Sequence, residues 1–153
     1  MSEEIDLLED FRALVAALHA ERIEYAVVGA LALAVHGFPR ATRDIDLLVR
    51  KEHLPAILRV AAEIGYRFPA EPVTFRDGME LQRVTKIVGE DHLTLDLLLV
   101  NEQLETVWSS RLQVQSQRGA ISVISREALI EMKARAGRPQ DLVDLERLRS
   151  QDD

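Results

Sequence analysis

Cysteine is absent from the 153 residues. That removes a disulfide framework, a thiol nucleophile and any Cys-type zinc site. Aromatic residues make up 5% of the chain, which weighs against a base-stacking RNA platform. Basic residues are in deficit, with 19 Lys and Arg against 26 Asp and Glu and a formal net charge of −7. A generic nucleic-acid coat needs a basic surface and is excluded. A nucleotide enzyme is not, because bound metal ions offset acidic groups and phosphates. Long apolar runs are missing as well. The longest, Ala26 to Val35, is too short to span a bilayer, so no membrane partner is expected. The chain begins Ser2-Glu3-Glu4, acidic where a signal peptide is basic, and a cytoplasmic location is expected. Glycine occurs seven times, so most glycines should mark element boundaries.

What is present suits one domain spanning 1–153, with 47% hydrophobic and 29% charged residues. Leu7, Phe11, Leu14, Val15 and Leu18 recur at helical spacing and predict a helix from about Glu3 to Ala20. Tyr25 to Val28 reads as a short buried strand ending at Gly29, and Ala30 to His36 as a short helix closed by Gly37 and Pro39. Asp44 to Val49 is a strand with Ile45, Leu47 and Val49 on one face and Asp44 and Asp46 on the other. A helix follows from about Glu52 to Ile64, with Pro55 in its first turn and Gly65 as its stop. Tyr66 to Asp77 reads as irregular, with a turn at Asp77-Gly78.

Strands near Leu81–Val88 and His92–Val100 form a hairpin about Gly89. A short helix over Asn101 to Arg111 carries Trp108 toward the core. Two short strands, Leu112–Val114 and Ala120–Ile124, join through Gln117-Arg118-Gly119. Ser125 caps a helix that stops at Gly137, and Pro139 opens the last helix. The expected class is α+β (or α/β), a mixed sheet flanked by helices.

The chemistry concentrates between Tyr25 and Val49. Gly29 stands where a strand becomes a helix, and the first amides of that helix have no internal partners. They can bind a phosphate, or Gly29 can simply make a tight turn. Asp44 and Asp46 project from one strand face with Cα atoms about 6.5–7 Å apart. Aspartate is a poor strand former, so two on one face point to Mg²⁺, a hard ion that prefers oxygen ligands. A solvated sheet face or helix-cap partners are the alternative. Asp96 is the lone charge in Leu93-Thr94-Leu95-Asp96-Leu97-Leu98-Leu99. If its strand lies beside Asp44–Val49, it completes a carboxylate triad and can take a proton from a hydroxyl. Otherwise it forms a structural ion pair with an arginine. His19, His36, His53 and His92 show no metal-type spacing and read as structural or surface residues.

Gly29-Ala30, Ala32, Gly37, Arg40, Thr42, Asp44-Ile45-Asp46 and Asp96, with the tail from Leu129 to Leu145, resemble the minimal nucleotidyltransferase domain of the DNA polymerase β-like superfamily. The likeness covers most of the chain and is nearest to the bacterial AbiEii-type and related nucleotidyltransferases. It implies a palm-like core with C-terminal helices. Gly29 and Ala30 would hold the β/γ-phosphates of a nucleoside triphosphate such as ATP. Asp44, Asp46 and Asp96 would bind Mg²⁺ or Mn²⁺, and Asp96 would also act as base. Lys133, with Arg40 or Arg43 and Thr42 from the loop, would serve nucleotide binding. Asp141 and Asp144 would anchor the last helix. A nucleoside monophosphate would pass to a hydroxyl of a tRNA end, a protein or a small molecule. A toxin–antitoxin role with a protein partner is also implied. Ala30 departs from the family's usual glycine or serine and raises the alternative of a non-catalytic nucleotide-sensing or partner-binding module.

Overall fold

The computed structural model describes residues 6–116 and 119–150. The expected helix start at Glu3, the acidic Ser2-Glu3-Glu4 and the turn residues Gln117 and Arg118 lie outside the described residues. In chain order the elements are α1 (Leu7–Ala20), β1 (Ala26–Val28), α2 (Gly29–Val35), β2 (Asp44–Val49), α3 (Leu54–Glu63), β3 (Phe68–Pro69), β4 (Val73–Thr74), β5 (Glu80–Val88), β6 (Asp91–Leu99), α4 (Glu105–Ser109), β7 (Leu112–Ser116), β8 (Gly119–Val123), α5 (Arg126–Ala136) and α6 (Pro139–Ser150).

The strands form one mixed sheet in the order β3-β5-β6-β2-β1-β8-β7, with β4 also on β5. β2 runs parallel to β6, and β1 parallel to β8; the other pairs are antiparallel. The expected α+β class, a mixed sheet with C-terminal helices, is the observed one.

Two stretches differ from the sequence expectation. Tyr66 to Asp77 is not wholly irregular: Phe68–Pro69 and Val73–Thr74 pair with β5, which is long enough to carry both on its outer edge. The helix expected over Asn101 to Arg111 is a single turn of 3₁₀ at Glu102–Leu104 followed by the short α4. Asn101 caps that turn by accepting from the Leu104 amide at 3.0 Å, and Trp108 is buried as expected.

Period-two alternation decides the core. Ile45, Leu47, Leu95 and Leu97 have no exposure and join Leu14 and Leu18 of α1 and Ile57 and Val60 of α3 in one hydrophobic cluster. Burying each such side chain contributes about 1.5–3 kcal/mol. Asp10 of α1 locks this layer to the sheet. It accepts from the Tyr66 hydroxyl at 3.0 Å and from Lys86 Nζ at 3.0 and 3.1 Å. The opposite face of β2 and β6 is left to Asp44, Asp46, Thr94 and Asp96. Ser125 caps α5 by accepting from the Ala128 amide, and Gly137 ends it with a left-handed φ of 61°. That stop turns α6 back against α5.

Candidate active site

Strand register assembles the site. Asp46 pairs with Asp96 across the parallel β2–β6 ladder, Asp96 with Arg83 across β5–β6, and Val28 with Asp46 across β1–β2. Registered neighbours point to the same face, so Arg83, Asp96, Asp46 and Val28 form one transverse row. Asp44 stands one pleat along, paired with Thr94. The condition under which the carboxylates could form a triad, adjacent β2 and β6, is met.

Gly29 closes the end of this row. Its φ is +66°, and a Cβ there would sit 2.4 Å from Asp46 Oδ2. Only a residue with no side chain admits the Asp46 carboxylate so close to the turn. Gly29→Ala is therefore expected to cost about 1–3 kcal/mol of stability and to push Asp46 out of place. Urea unfolding together with a nucleotide titration checks both. Ala30 is buried with 5% exposure. Its methyl does not line the cleft, so the departure from glycine or serine takes no room from a ligand there.

The cleft has a volume of about 570 Å³. Gly29, Asp46 and Asp96 form its floor, Lys133 and Arg138 one wall, and Phe75, Met79 and Leu81 contribute an apolar side. Burial pushes the Asp46 carboxyl up to about 7, with the charges of Asp96 and Asp44 adding to the effect and Arg138 and Lys133 opposing it. An acid cluster this poorly neutralised is a suitable seat for a divalent cation, which relieves burial and repulsion together.

The donor set is all carboxylate oxygen, which suits Mg²⁺ or Mn²⁺. Asp44 and Asp46 could hold such an ion directly. Asp96 is otherwise engaged: Arg83 Nε and a terminal guanidinium nitrogen donate to its two oxygens at 2.8 and 3.0 Å. Among the described residues no three acidic or histidine side chains are gathered closely enough to grip an ion as they stand. Asp96 thus shares a row with Asp46 and is held by an arginine, the ion pair that was the alternative to a triad. The Arg83 side chain is half exposed, whereas Asp96 is buried.

The remaining expected site residues are placed as follows. Thr42 accepts from the Asp44 amide at 3.1 Å, which shapes the entry to β2. Arg43 donates to Asp91 at 3.0 Å on the exposed surface. Arg40 donates to Asp144 at 3.3 Å. Lys133 is buried and donates to Asp144 at 2.8 Å, with Asp141 at 3.7 Å. Gln140 donates to the second oxygen of Asp144 at 3.0 Å, and Arg138 holds Asp141 through its Nε at 2.6 Å. Asp141 and Asp144 therefore anchor α6, as expected. Burial works to raise both carboxyls, but hydrogen bonds and charge from Arg138 for Asp141, and from Lys133, Gln140 and Arg40 for Asp144, outweigh it and hold both below their ordinary range.

Sequence reasoning missed Arg83 and Arg138 as site residues. A signal for Arg83 existed. A two-residue turn at Gly89-Glu90 pairs Val88 with Asp91, and counting back along the ladder then sets Arg83 opposite Asp96. Arg138 carried no such signal, because its approach to Asp46 depends on how α5 and α6 fold back over the sheet.

No family model matches the chain, and no curated protein sequence matches it. Solved structures do share its fold. A Thermotoga maritima protein assigned as a nucleotidyltransferase superposes with a TM-score of 0.65 at 19% identity, covering 94% of this chain and 92% of the other. ANT(2″)-Ia, solved in complex with adenylyl-2″-tobramycin, gives a TM-score of 0.62 at 18% identity over 90% of this chain and 84% of its own. A nucleotidyltransferase-like antigenic protein of Paracoccidioides brasiliensis gives 0.55 at 16% identity, over 91% and 74%. The chain has the nucleotidyltransferase fold.

Proposed function

We propose that this chain is a metal-dependent nucleotidyltransferase that moves a nucleoside monophosphate from a triphosphate to a hydroxyl and releases pyrophosphate. The observation that carries this reading is the in-register pairing of Asp46 with Asp96 beside the Gly29 turn. Asp44 and Asp46, with Asp96, would hold Mg²⁺ or Mn²⁺. The bound ion would supply charge neutralisation at the transferring phosphoryl group. Gly29 and its neighbouring amide leave room for phosphate oxygens, and Lys133 and Arg138 line the same cleft with positive charge.

The acceptor oxygen attacks the α-phosphorus in line. The new O–P bond forms as the α–β phosphoanhydride breaks, and the electron pair leaves with pyrophosphate. Asp96, once Arg83 has swung off it, takes the hydroxyl proton. A small-molecule hydroxyl is the favoured acceptor over a tRNA end or a protein. The acidic chain disfavours long nucleic acid, and ANT(2″)-Ia, of like fold, was solved with an adenylylated small molecule. The AbiEii-type affinity and a toxin–antitoxin role belong to the same proposal and require a protein partner that suppresses transfer.

The second reading, a nucleotide-sensing or partner-binding module, is favoured by one observation, the bidentate Arg83–Asp96 pair. It predicts nucleotide binding without turnover and indifference to Asp96→Asn. The test is label transfer from each α-labelled triphosphate, with Mg²⁺ or Mn²⁺, into a mixture of tRNA, protein and small metabolites. An Asp44→Asn/Asp46→Asn double variant runs beside it. Label appearing in one acceptor with the unmodified chain and not with the variant is expected. Full transfer by the variant would sink the assignment.

A further inference from the structure

A second cavity, of about 340 Å³, lies at the other end of β1 from Gly29. It is lined by His19, Arg22, Tyr25, Arg111, Gln113 and Ser122 among others. The three-residue strand Ala26–Val28 separates it from the catalytic turn.

One of its polar groups, the Ser122 hydroxyl, has no hydrogen-bond partner. Ser122 is buried with 5% exposure. A buried hydroxyl left unmatched is costly, and a ligand atom that reached Ser122 Oγ from the cavity would supply its missing partner. The Ser122 amide donates to the Tyr25 hydroxyl at 3.2 Å, and that hydroxyl lies 3.3 Å from His19 Nε2. Arg111 is held rigidly. Its guanidinium stacks 3.9 Å over the Trp108 ring and donates through Nε to the Trp108 carbonyl at 2.9 Å.

That leaves the terminal nitrogens of Arg111 with one distant acid, Glu24 at 3.9 Å, whose side chain is largely exposed. The Arg22 guanidinium makes no ion pair or side-chain hydrogen bond among the described residues. Arg22 is also the one non-glycine residue among them with a left-handed φ, 57°. That conformation ends α1: the Arg22 amide donates to the His19 carbonyl at 3.1 Å and the Ile23 amide to the Leu18 carbonyl at 2.9 Å, so the helix stop fixes where the Arg22 side chain leaves the backbone. The cavity thus gathers two guanidiniums, an imidazole and an unmatched hydroxyl against one exposed carboxylate.

We propose that this cavity is a second binding site, for a small phosphate monoester. Two planar guanidinium forks match the oxygens of a tetrahedral dianion. The hydroxyl of Ser122 and the His19–Tyr25 pair supply further hydrogen bonds. The volume leaves room beyond the phosphate for a small organic group. A monocarboxylate would leave one guanidinium unmatched. The site is independent of the proposed transfer reaction and does not rest on it.

The test uses the full chain labelled with ¹⁵N and titrated with inorganic phosphate, glycerol 3-phosphate and acetate. Saturable shifts of the Arg22 and Ser122 amides are expected with both phosphates, while the Gly29 and Ala30 amides report separately on the catalytic cleft. Arg22→Asn, which tolerates the left-handed backbone, is expected to weaken binding about tenfold to a hundredfold. Ser122→Ala should weaken it about threefold to tenfold while leaving the melting temperature of the ligand-free chain unchanged or higher, since the lost hydroxyl has no partner. Shifts confined to Gly29 and Ala30, absence of saturation, acetate binding as tightly as phosphate, or phosphate binding unaffected by Ser122→Ala would each overturn the assignment.

Discussion

Asp46→Asn is expected to abolish the proposed transfer and to stabilise the metal-free protein at the same time. Loss of a carboxylate at the centre of the acid cluster should lower the rate by about 1,000-fold or more. The stability gain follows from the same residue's environment. Burial and the charges of Asp96 and Asp44 raise its carboxyl to about 7 in the folded chain, against about 3.9 when unfolded. Between those values the folded state holds a proton that the unfolded state has lost. Stability therefore falls as pH rises through that window and stays low above it. A window about three pH units wide corresponds to about 4 kcal/mol, and partial exposure of Asp46 brings the expectation to about 2–4 kcal/mol. Thermal melts at pH 5 and pH 8 without metal should diverge for the unmodified chain and converge for Asp46→Asn. Added Mg²⁺ should raise the pH 8 melt of the unmodified chain alone. Equal pH dependence in both proteins would show that Asp46 is not the strained group.

Asp144→Ala is expected to be the most destabilising single change in the C-terminal layer. Asp144 has no exposure and accepts from Lys133, Arg40 and Gln140. Its removal leaves a buried ammonium whose nearest remaining carboxylate, Asp141 at 3.7 Å, is already held by Arg138. Breaking a buried pair from one side costs about 3–5 kcal/mol. Lys133→Met should cost less, because Asp144 keeps Arg40 and Gln140. The double variant Lys133→Met/Asp144→Leu should recover most of the loss. Both Asp141 and Asp144 titrate below their ordinary range. Their contribution is therefore complete above about pH 4 and is lost as pH falls further. Urea midpoints of the three variants, with an acid titration of the unmodified chain, test the ordering. If Asp144→Ala proves no worse than Lys133→Met, the ammonium finds solvent or another partner.

These two expectations separate roles that the sequence pattern runs together. Lys133 was expected at the nucleotide and Asp141 and Asp144 at the helix anchor. In the fold they form one network, with Lys133 on the cleft wall and its ammonium on Asp144. A nucleotide titration of Lys133→Met decides whether it also serves the ligand.

Much of the fold was legible because its signals are local. Alternation in Asp44–Val49 and Leu93–Leu99 assigns each side chain to a face, since the strand period is two. Gly29, Gly137, Ser125 and Pro139 mark element ends through backbone freedom and capping, which neighbouring residues alone decide. The carboxylates Asp44, Asp46 and Asp96 stand out because aspartate among leucines has no local reason to be there. Tertiary structure decided what they face. The parallel β2–β6 pairing joins strands far apart in the chain and brings Asp46 level with Asp96. The fold-back of α6 places Arg138 near Asp46, and the meeting of the α1–β1 turn with β7 and β8 makes the second cavity. Such contacts depend on packing between elements, and no spacing along the chain encodes them.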